Sequence, residues 1–147
     1  MPRIKEIMSV LKRNRGESQL EFLNSSHQLE LYTIRAAHRE TVIPRRYRLT
    51  LGSKLTESAR KINQYVTYAN SLRNDKPAEL KIRLKYQRCA IIEIQNLIEL
   101  VTLTSELFPS IKDGTIEEWA RLMISTENSV KRWKESDEKR FKRSCTV

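Results

Sequence analysis

Pro77-Ala78-Glu79-Leu80-Lys81-Ile82-Arg83-Leu84-Lys85-Tyr86-Gln87-Arg88-Cys89-Ala90-Ile91-Ile92-Glu93-Ile94-Gln95-Asn96-Leu97-Ile98-Glu99-Leu100-Val101-Thr102-Leu103-Thr104-Ser105-Glu106-Leu107-Phe108 is the stretch on which the fold turns. Within it Leu80, Leu84, Gln87, Ile91, Ile94, Ile98, Val101, Ser105 and Phe108 recur at alternating steps of four and three, the period of one helix face. Leu97, Leu100 and Leu107 widen that stripe. Such a helix belongs at the centre of a fold, or faces an oligomer partner as well as the core. Pro77 suits its first turn and Pro109 follows its end.

Outward from this helix, three more segments show the same period. A first helix is expected over about 18–40, opened by the capping box Ser18-Gln19-Leu20-Glu21, with Leu20, Leu23, His27, Leu31, Ile34 and Ala37 on its apolar face. A second is expected over 50–74, with Leu51, Leu55, Ile62, Tyr65, Ala69 and Leu72 beside Ala59 and Val66. Asn74-Asp75-Lys76 is a turn into the central helix at 77–108. A fourth is expected over 115–140, opened by Thr115-Ile116-Glu117-Glu118 after Gly114 and continued by Ile116, Trp119, Met123, Thr126, Val130 and Trp133. The expected fold is therefore all-α: an antiparallel up-down-up-down four-helix bundle over 18–143. Residues 1–17 form a short basic N-terminal extension, in which Ile4, Ile7, Met8 and Leu11 suit a short amphipathic helix, and 144–147 form a tail.

The chain has 147 residues, enough for one domain with one core, and only three Gly and four Pro, too few for a β-rich architecture. Its formal net charge is +10, a balance that suits nucleic acid or an anionic surface. The charges are sorted into blocks. Residues 1–15, 39–61, 73–88 and 131–143 are basic, whereas 89–128 is acidic, with Glu93, Glu99, Glu106, Asp113, Glu117, Glu118 and Glu127. A run of charge on one helix is ordinarily a solvated face. Threaded through an up-down bundle, however, the blocks 1–15, 73–88 and 131–143 meet at one end, and 39–61 becomes a basic stripe along the second helix. That points to a polyanion, bound through phosphates with little sequence preference. The candidate nucleic-acid-binding residues are Arg45, Arg46, Arg48, Lys54, Arg60, Lys61, Arg73, Lys81, Lys85, Lys131, Arg132, Lys139 and Arg140. Tyr65, Tyr68 and Tyr86 are either stacking platforms for bases or core and rim residues.

Catalytic signatures are missing. The positions three before His27 and His38 are Asn24 and Arg35, so the paired Glu-x-x-His of di-iron bundles is not there. Neither a Gly-rich phosphate loop nor a nucleophile motif with a base is present. No metal or cofactor is expected, and the chain reads as a non-enzyme. His27 is expected in a core or interface, Cys89 as a small partly buried hydrophobe and Cys145 as a free thiol, both suiting a reducing cytoplasm. No apolar run of signal-peptide or membrane-spanning length is present, so a cytoplasmic location is expected.

Ile43-Pro44-Arg45-Arg46-Tyr47-Arg48-Leu49-Thr50-Leu51-Gly52, together with Leu29-Glu30-Leu31-Tyr32-Thr33-Ile34, Tyr68-Ala69-Asn70 and the closing Trp133-Lys134-Glu135-Ser136-Asp137-Glu138-Lys139-Arg140, resembles a family of bacterial four-helix-bundle proteins. That family is similar to the accessory variability determinant of diversity-generating retroelements and to the protein encoded in intervening sequences of large-subunit rRNA. The resemblance runs from about Ser18 onward. It implies a homopentameric barrel of bundles that binds RNA and DNA and partners a reverse transcriptase during mutagenic cDNA synthesis. It also implies a basic approach to the second helix, matched here by Arg45, Arg46 and Arg48. The extension before Ser18 departs from the shorter members. Three roles are carried forward: a nucleic-acid-binding reverse transcriptase accessory, a bundle docking on an acidic protein, and a membrane-surface role for 1–15.

Overall fold

The computed structural model describes residues 21–145, and every regular element among them is helical. The expected extension 1–17, Ser18, Gln19 and Leu20 of the first capping box and apolar face, and the last two residues of the tail lie outside the described residues. Four α-helices follow in order: α1 Glu21–Ala37, α2 Ser53–Ser71, α3 Pro77–Leu107 and α4 Asp113–Cys145. Each packs on the next, and α4 also packs on α1.

Between α1 and α2 the chain turns through a 3-10 helix, Arg45–Tyr47, and a single π turn, Arg48–Gly52. Val42 and Ile43 are buried and pin this connection to the core. Pro44, at φ −54° and ψ 144°, keeps the backbone extended just before the 3-10 turn. Helix α2 consequently begins at Ser53 rather than at Thr50, and it ends at Ser71 because Leu72 is extended (φ −92°, ψ 147°).

Helix α4 opens two residues before the expected Thr115 and runs five past the expected end at 140, so Ser144 and Cys145 belong to it rather than to a tail. The Lys112 carbonyl accepts the first turn's N–H groups from Thr115 (3.0 Å) and Ile116 (3.4 Å), and Asp113 places a carboxylate at the positive end of the helix. Thr115 is thus inside the helix rather than capping it, and its carbonyl accepts the Tyr32 hydroxyl at 2.9 Å. Burial raises the Tyr32 phenol above its ordinary pKa, opposed by the nearby charge of Arg39.

Helices α2 and α4 bury most of the stripes their periodicity indicates, while Tyr65, Leu72 and Ile116 are only half-buried. Leu55, Ala59, Ile62, Val66 and Ala69 fill one side of the core, and Trp119, Met123, Thr126, Val130 and Trp133 the other. Helix α3 is rotated relative to the expected stripe. Leu80, Gln87, Ile94, Leu97 and Val101 are buried as expected, but Arg83, Ala90 and Thr104 complete the row, and Leu107, expected on the stripe, is exposed. Leu84, Ile91, Ile98, Ser105 and Phe108 sit half-buried at its flank. Helix α1 departs most, burying Phe22, Ser26, Leu29, Thr33, Ala36 and Ala37, while His27 is exposed rather than in a core or interface. Each fully buried large apolar side chain contributes roughly 1.5–3 kcal/mol, so this shared core outweighs any surface ion pair.

The buried Ser26 and Thr33 of α1 are paired across helices with α2 and α4, and a stacked aromatic pair joins them. The indole N–H of Trp119 donates to Thr33 Oγ1 at 3.0 Å. The Ser26 hydroxyl, 3.0 Å from Asn63 Oδ1 and 3.1 Å from the Leu23 carbonyl, shares its proton between them. Phe22 stacks on Trp133 with centroids 3.7 Å apart. Going down α1 from Thr33 to Phe22, the partner on α4 rises from Trp119 to Trp133. Going up α2 from Ser58 to Leu72, the partner on α3 falls from Glu93 to Arg83.

Candidate nucleic-acid interface

At the end where α2 hands over to α3, three helices meet on a buried charge. Arg83 Nε donates to Asp137 Oδ2 at 2.7 Å, and Arg83 Nη1 donates to the carbonyl of Leu72 at 3.0 Å, satisfying a group that the end of α2 leaves open. Gln87 Nε2 donates to the same carboxylate oxygen at 2.7 Å, and the guanidinium carbon lies 4.9 Å from the Trp133 ring centroid. Arg83 is 8% and Asp137 2% exposed, so neither charge is part of a surface. The sequence block 73–88 is one cation poorer on the outside than its linear count indicates. This node also joins the blocks 73–88 and 131–143, which bend into one basic end; the third expected contributor, 1–15, lies outside the described residues.

The candidate cations divide by what they touch. Arg73 is exposed and donates to both oxygens of Asp75 at 2.9 and 2.6 Å, and this bond holds the Asp75 carboxyl below the ordinary carboxylate range. Lys61 pairs with Glu57, Lys131 with Glu127 and Arg132 with Glu21. Arg48 is half-buried and donates from Nη2 to the His38 carbonyl at 3.2 Å, so it holds the α1–α2 turn together. Arg46 is exposed with its guanidinium 5.2 Å from the Tyr47 ring centroid. Arg45, Lys54, Arg60, Lys81, Lys85, Lys139 and Arg140 are exposed, and no carboxylate pairs with them among the described residues. Arg88, outside the candidate set, is exposed in the same way.

Two regions result. Lys81, Lys85 and Arg88 on the first half of α3 lie at the same end as Lys139 and Arg140 on the last turns of α4, the two segments being tied by the Arg83–Asp137 pair. Arg45, Lys54 and Arg60 run from the α1–α2 turn along α2. That turn leans on the far end of α3, since the Tyr47 ring meets Phe108 edge-on at 5.1 Å. The group that starts at Arg45 therefore begins beside the far end of α3, within the acidic stretch. In that stretch Arg121 offsets Glu118, donating to both its oxygens at 2.9 and 2.6 Å, which lowers the carboxyl's pKa.

The tyrosines behave as a group. Tyr65 and Tyr86 are half-buried with centroids 6.4 Å apart, and Tyr68 meets Tyr86 edge-on at 5.7 Å while remaining 48% exposed. Only Tyr68 of the three presents a large free face. Beside it, Glu30, Arg60, Asn63, Gln64, Thr67 and Tyr68 line a groove of about 260 Å³ across α1 and α2. Nothing in the periodicity marks this groove, because Glu30 and Asn63 are far apart in sequence and only the packing of α1 on α2 joins them. Among the described residues no group of His, Cys, Asp or Glu is arranged to hold a metal ion, and no helix is long and apolar enough to cross a membrane. Cys89 is half-buried and Cys145 exposed, both as free thiols. Compared with protein-family models, with curated proteins and with solved structures, the chain matches none of them.

Proposed function

We propose that this chain is a non-catalytic, nucleic-acid-binding accessory protein, and that its partner enzyme is a reverse transcriptase of a diversity-generating retroelement. The observation that carries the binding is the exposure of Arg45, Lys54, Arg60, Lys81, Lys85, Lys139 and Arg140 without carboxylate partners among the described residues. A cation already paired loses that bond when it meets a phosphate; these seven do not. The opposed numbering along α1–α4 and α2–α3 supports the antiparallel up-down-up-down scaffold that gathers them. The reverse transcriptase, the cytoplasmic setting and the assembly into a pentamer rest on the resemblance of the Ile43–Gly52 and Trp133–Arg140 stretches.

Binding of labelled RNA and DNA duplexes, followed by anisotropy against salt, tests the reading. Affinity is expected to fall steeply between about 50 and 200 mM salt with little dependence on sequence. The double variant Arg45→Glu/Lys54→Glu should bind more weakly and flatten the slope of log affinity against log salt by about two, at roughly 0.9 per phosphate contact. Its melting temperature should not change, because both side chains are exposed. Arg48 is left intact, since reversing it disturbs the turn. Affinity indifferent to salt would sink the proposal.

A second reading, a bundle docking on an acidic protein, draws on the same exposed cations, which have no carboxylate partners among the described residues. It predicts a partner that co-purifies unchanged after nuclease treatment.

A further inference from the structure

Glu30 is out of place in a phosphate-binding stripe. It stands in the groove with Arg60, next to the basic row of α2, where a carboxylate repels a nucleic-acid backbone. Yet its position is fixed from inside the core. Ser26, fully buried, holds Asn63 by its side-chain oxygen at 3.0 Å, and Asn63 Nδ2 donates to Glu30 Oε2 at 2.7 Å. A side chain oriented through such a relay arrives at a ligand with little ordering left to lose. Oε1 has no partner among the described residues, and each carboxylate oxygen accepts more than one bond.

The remaining groove residues define what meets that carboxylate. Tyr68 offers an exposed aromatic face braced by Tyr86, which suits the face of a heterocycle. Arg60 brings donors and a positive charge, and carries no ion pair among the described residues. At about 260 Å³ the groove is below the ~300–1,000 Å³ of drug-sized ligand sites, a scale that fits one base rather than a longer ligand. A carboxylate only accepts, so it selects an edge with adjacent donors. Guanine alone among the common bases presents two, N1–H and the 2-amino group. The Watson–Crick edges of adenine and cytosine place an acceptor beside their amino donor, and uracil and thymine offer a single N–H between two carbonyls.

We propose that the α1–α2 groove holds one unpaired guanine of a bound single strand, with Glu30 on its Watson–Crick edge, Tyr68 on its face and Arg60 on O6 and N7. The inference rests on the nucleic-acid reading above and adds a base preference to binding that is otherwise sequence-indifferent. In this arrangement the phosphates are held by the other unpaired cations, and the groove sets the register of the strand.

The test uses labelled oligo-dT strands that differ at one central position, carrying dG, inosine, dA or dT, with binding followed by anisotropy at fixed salt. The dG strand should bind about tenfold more tightly than the all-dT strand. Inosine, which lacks the 2-amino group, should lose most of that gain. Glu30→Gln keeps an oxygen for Asn63 and removes the charge, so it should bind the all-dT strand no less tightly while abolishing the dG preference. A general electrostatic role for Glu30 would instead strengthen all four strands by the same factor and keep their ranking. Tyr68→Ala should weaken the dG strand by about tenfold, from lost stacking. Equal, salt-sensitive binding of all four strands overturns the guanine groove and leaves the nucleic-acid reading standing. No binding of any strand overturns both.

Discussion

Asp137 and Thr33 are polar residues in the core, and each is there for a partner on another helix. Asp137 accepts from Arg83 and Gln87 within a site that excludes water. Its replacement by Ala leaves a buried guanidinium without a counter-charge, which should destabilise the fold by about 3–5 kcal/mol in a urea titration. The double variant Arg83→Met/Asp137→Leu should recover most of that loss, because it removes both charges together. The Gln87 amide and the Leu72 carbonyl each lose a partner in that variant, and these orphaned groups set the part of the loss that is not recovered. Thr33→Val keeps the shape of the side chain but orphans the Trp119 indole N–H, at an expected cost of about 1–3 kcal/mol in the same measurement. Thr33 also shows why α1 is hard to read as a string. Its buried row includes Ser26 and Thr33, and hydroxyls that reach Asn63 and Trp119 on other helices look like solvent-facing positions until those partners are in place.

At the scale of elements, helix existence follows from periodicity, whereas helix ends and rotation follow from neighbours. Helix α3 is apolar on so much of its circumference that several rotations would bury an acceptable face. The one adopted puts Arg83, Ala90, Leu97 and Thr104 inward, because that rotation brings Arg83 to Asp137 and to the end of α2. The π turn Arg48–Gly52 is similarly a device of the connection, letting the chain leave the buried Ile43 and enter α2 in register with α1. Gly52 in this turn has helical dihedrals, φ −56° and ψ −44°, and a Cβ there would meet the Ala37 carbonyl at 3.6 Å, an ordinary contact. Gly52→Ala should therefore stabilise by about 0.4–1 kcal/mol, read as a rise in the denaturation midpoint, since it restricts the unfolded chain without straining the folded one.

For the molecule as a whole, the open question of the apolar exterior is one of assembly. Ile92 and Leu103 are eleven residues apart on α3, about three helical turns, and so share a face; they are 54% and 45% exposed. The proposed pentamer would cover such a face. Light scattering should then give about five times the 17.4 kDa of one chain, and Ile92→Lys/Leu103→Lys should return the single-chain mass with helicity intact. A wild-type chain that scatters as a monomer would remove the pentamer and leave the basic surface unaffected.

The number and kind of helices, most of the rows buried by α2 and α4, and the alternation of charge blocks were all legible in the chain, because each is a local property repeated at a fixed spacing. Packing decided the rest. It took Arg83 out of the basic surface, paired Lys61, Arg73, Lys131 and Arg132 with carboxylates, turned His27 outward, and joined Glu30 to Asn63 and Tyr68 across two helices. A charge is assigned in sequence, but whether it faces water, a carboxylate or a ligand depends on distances between residues that the chain brings together only when it folds.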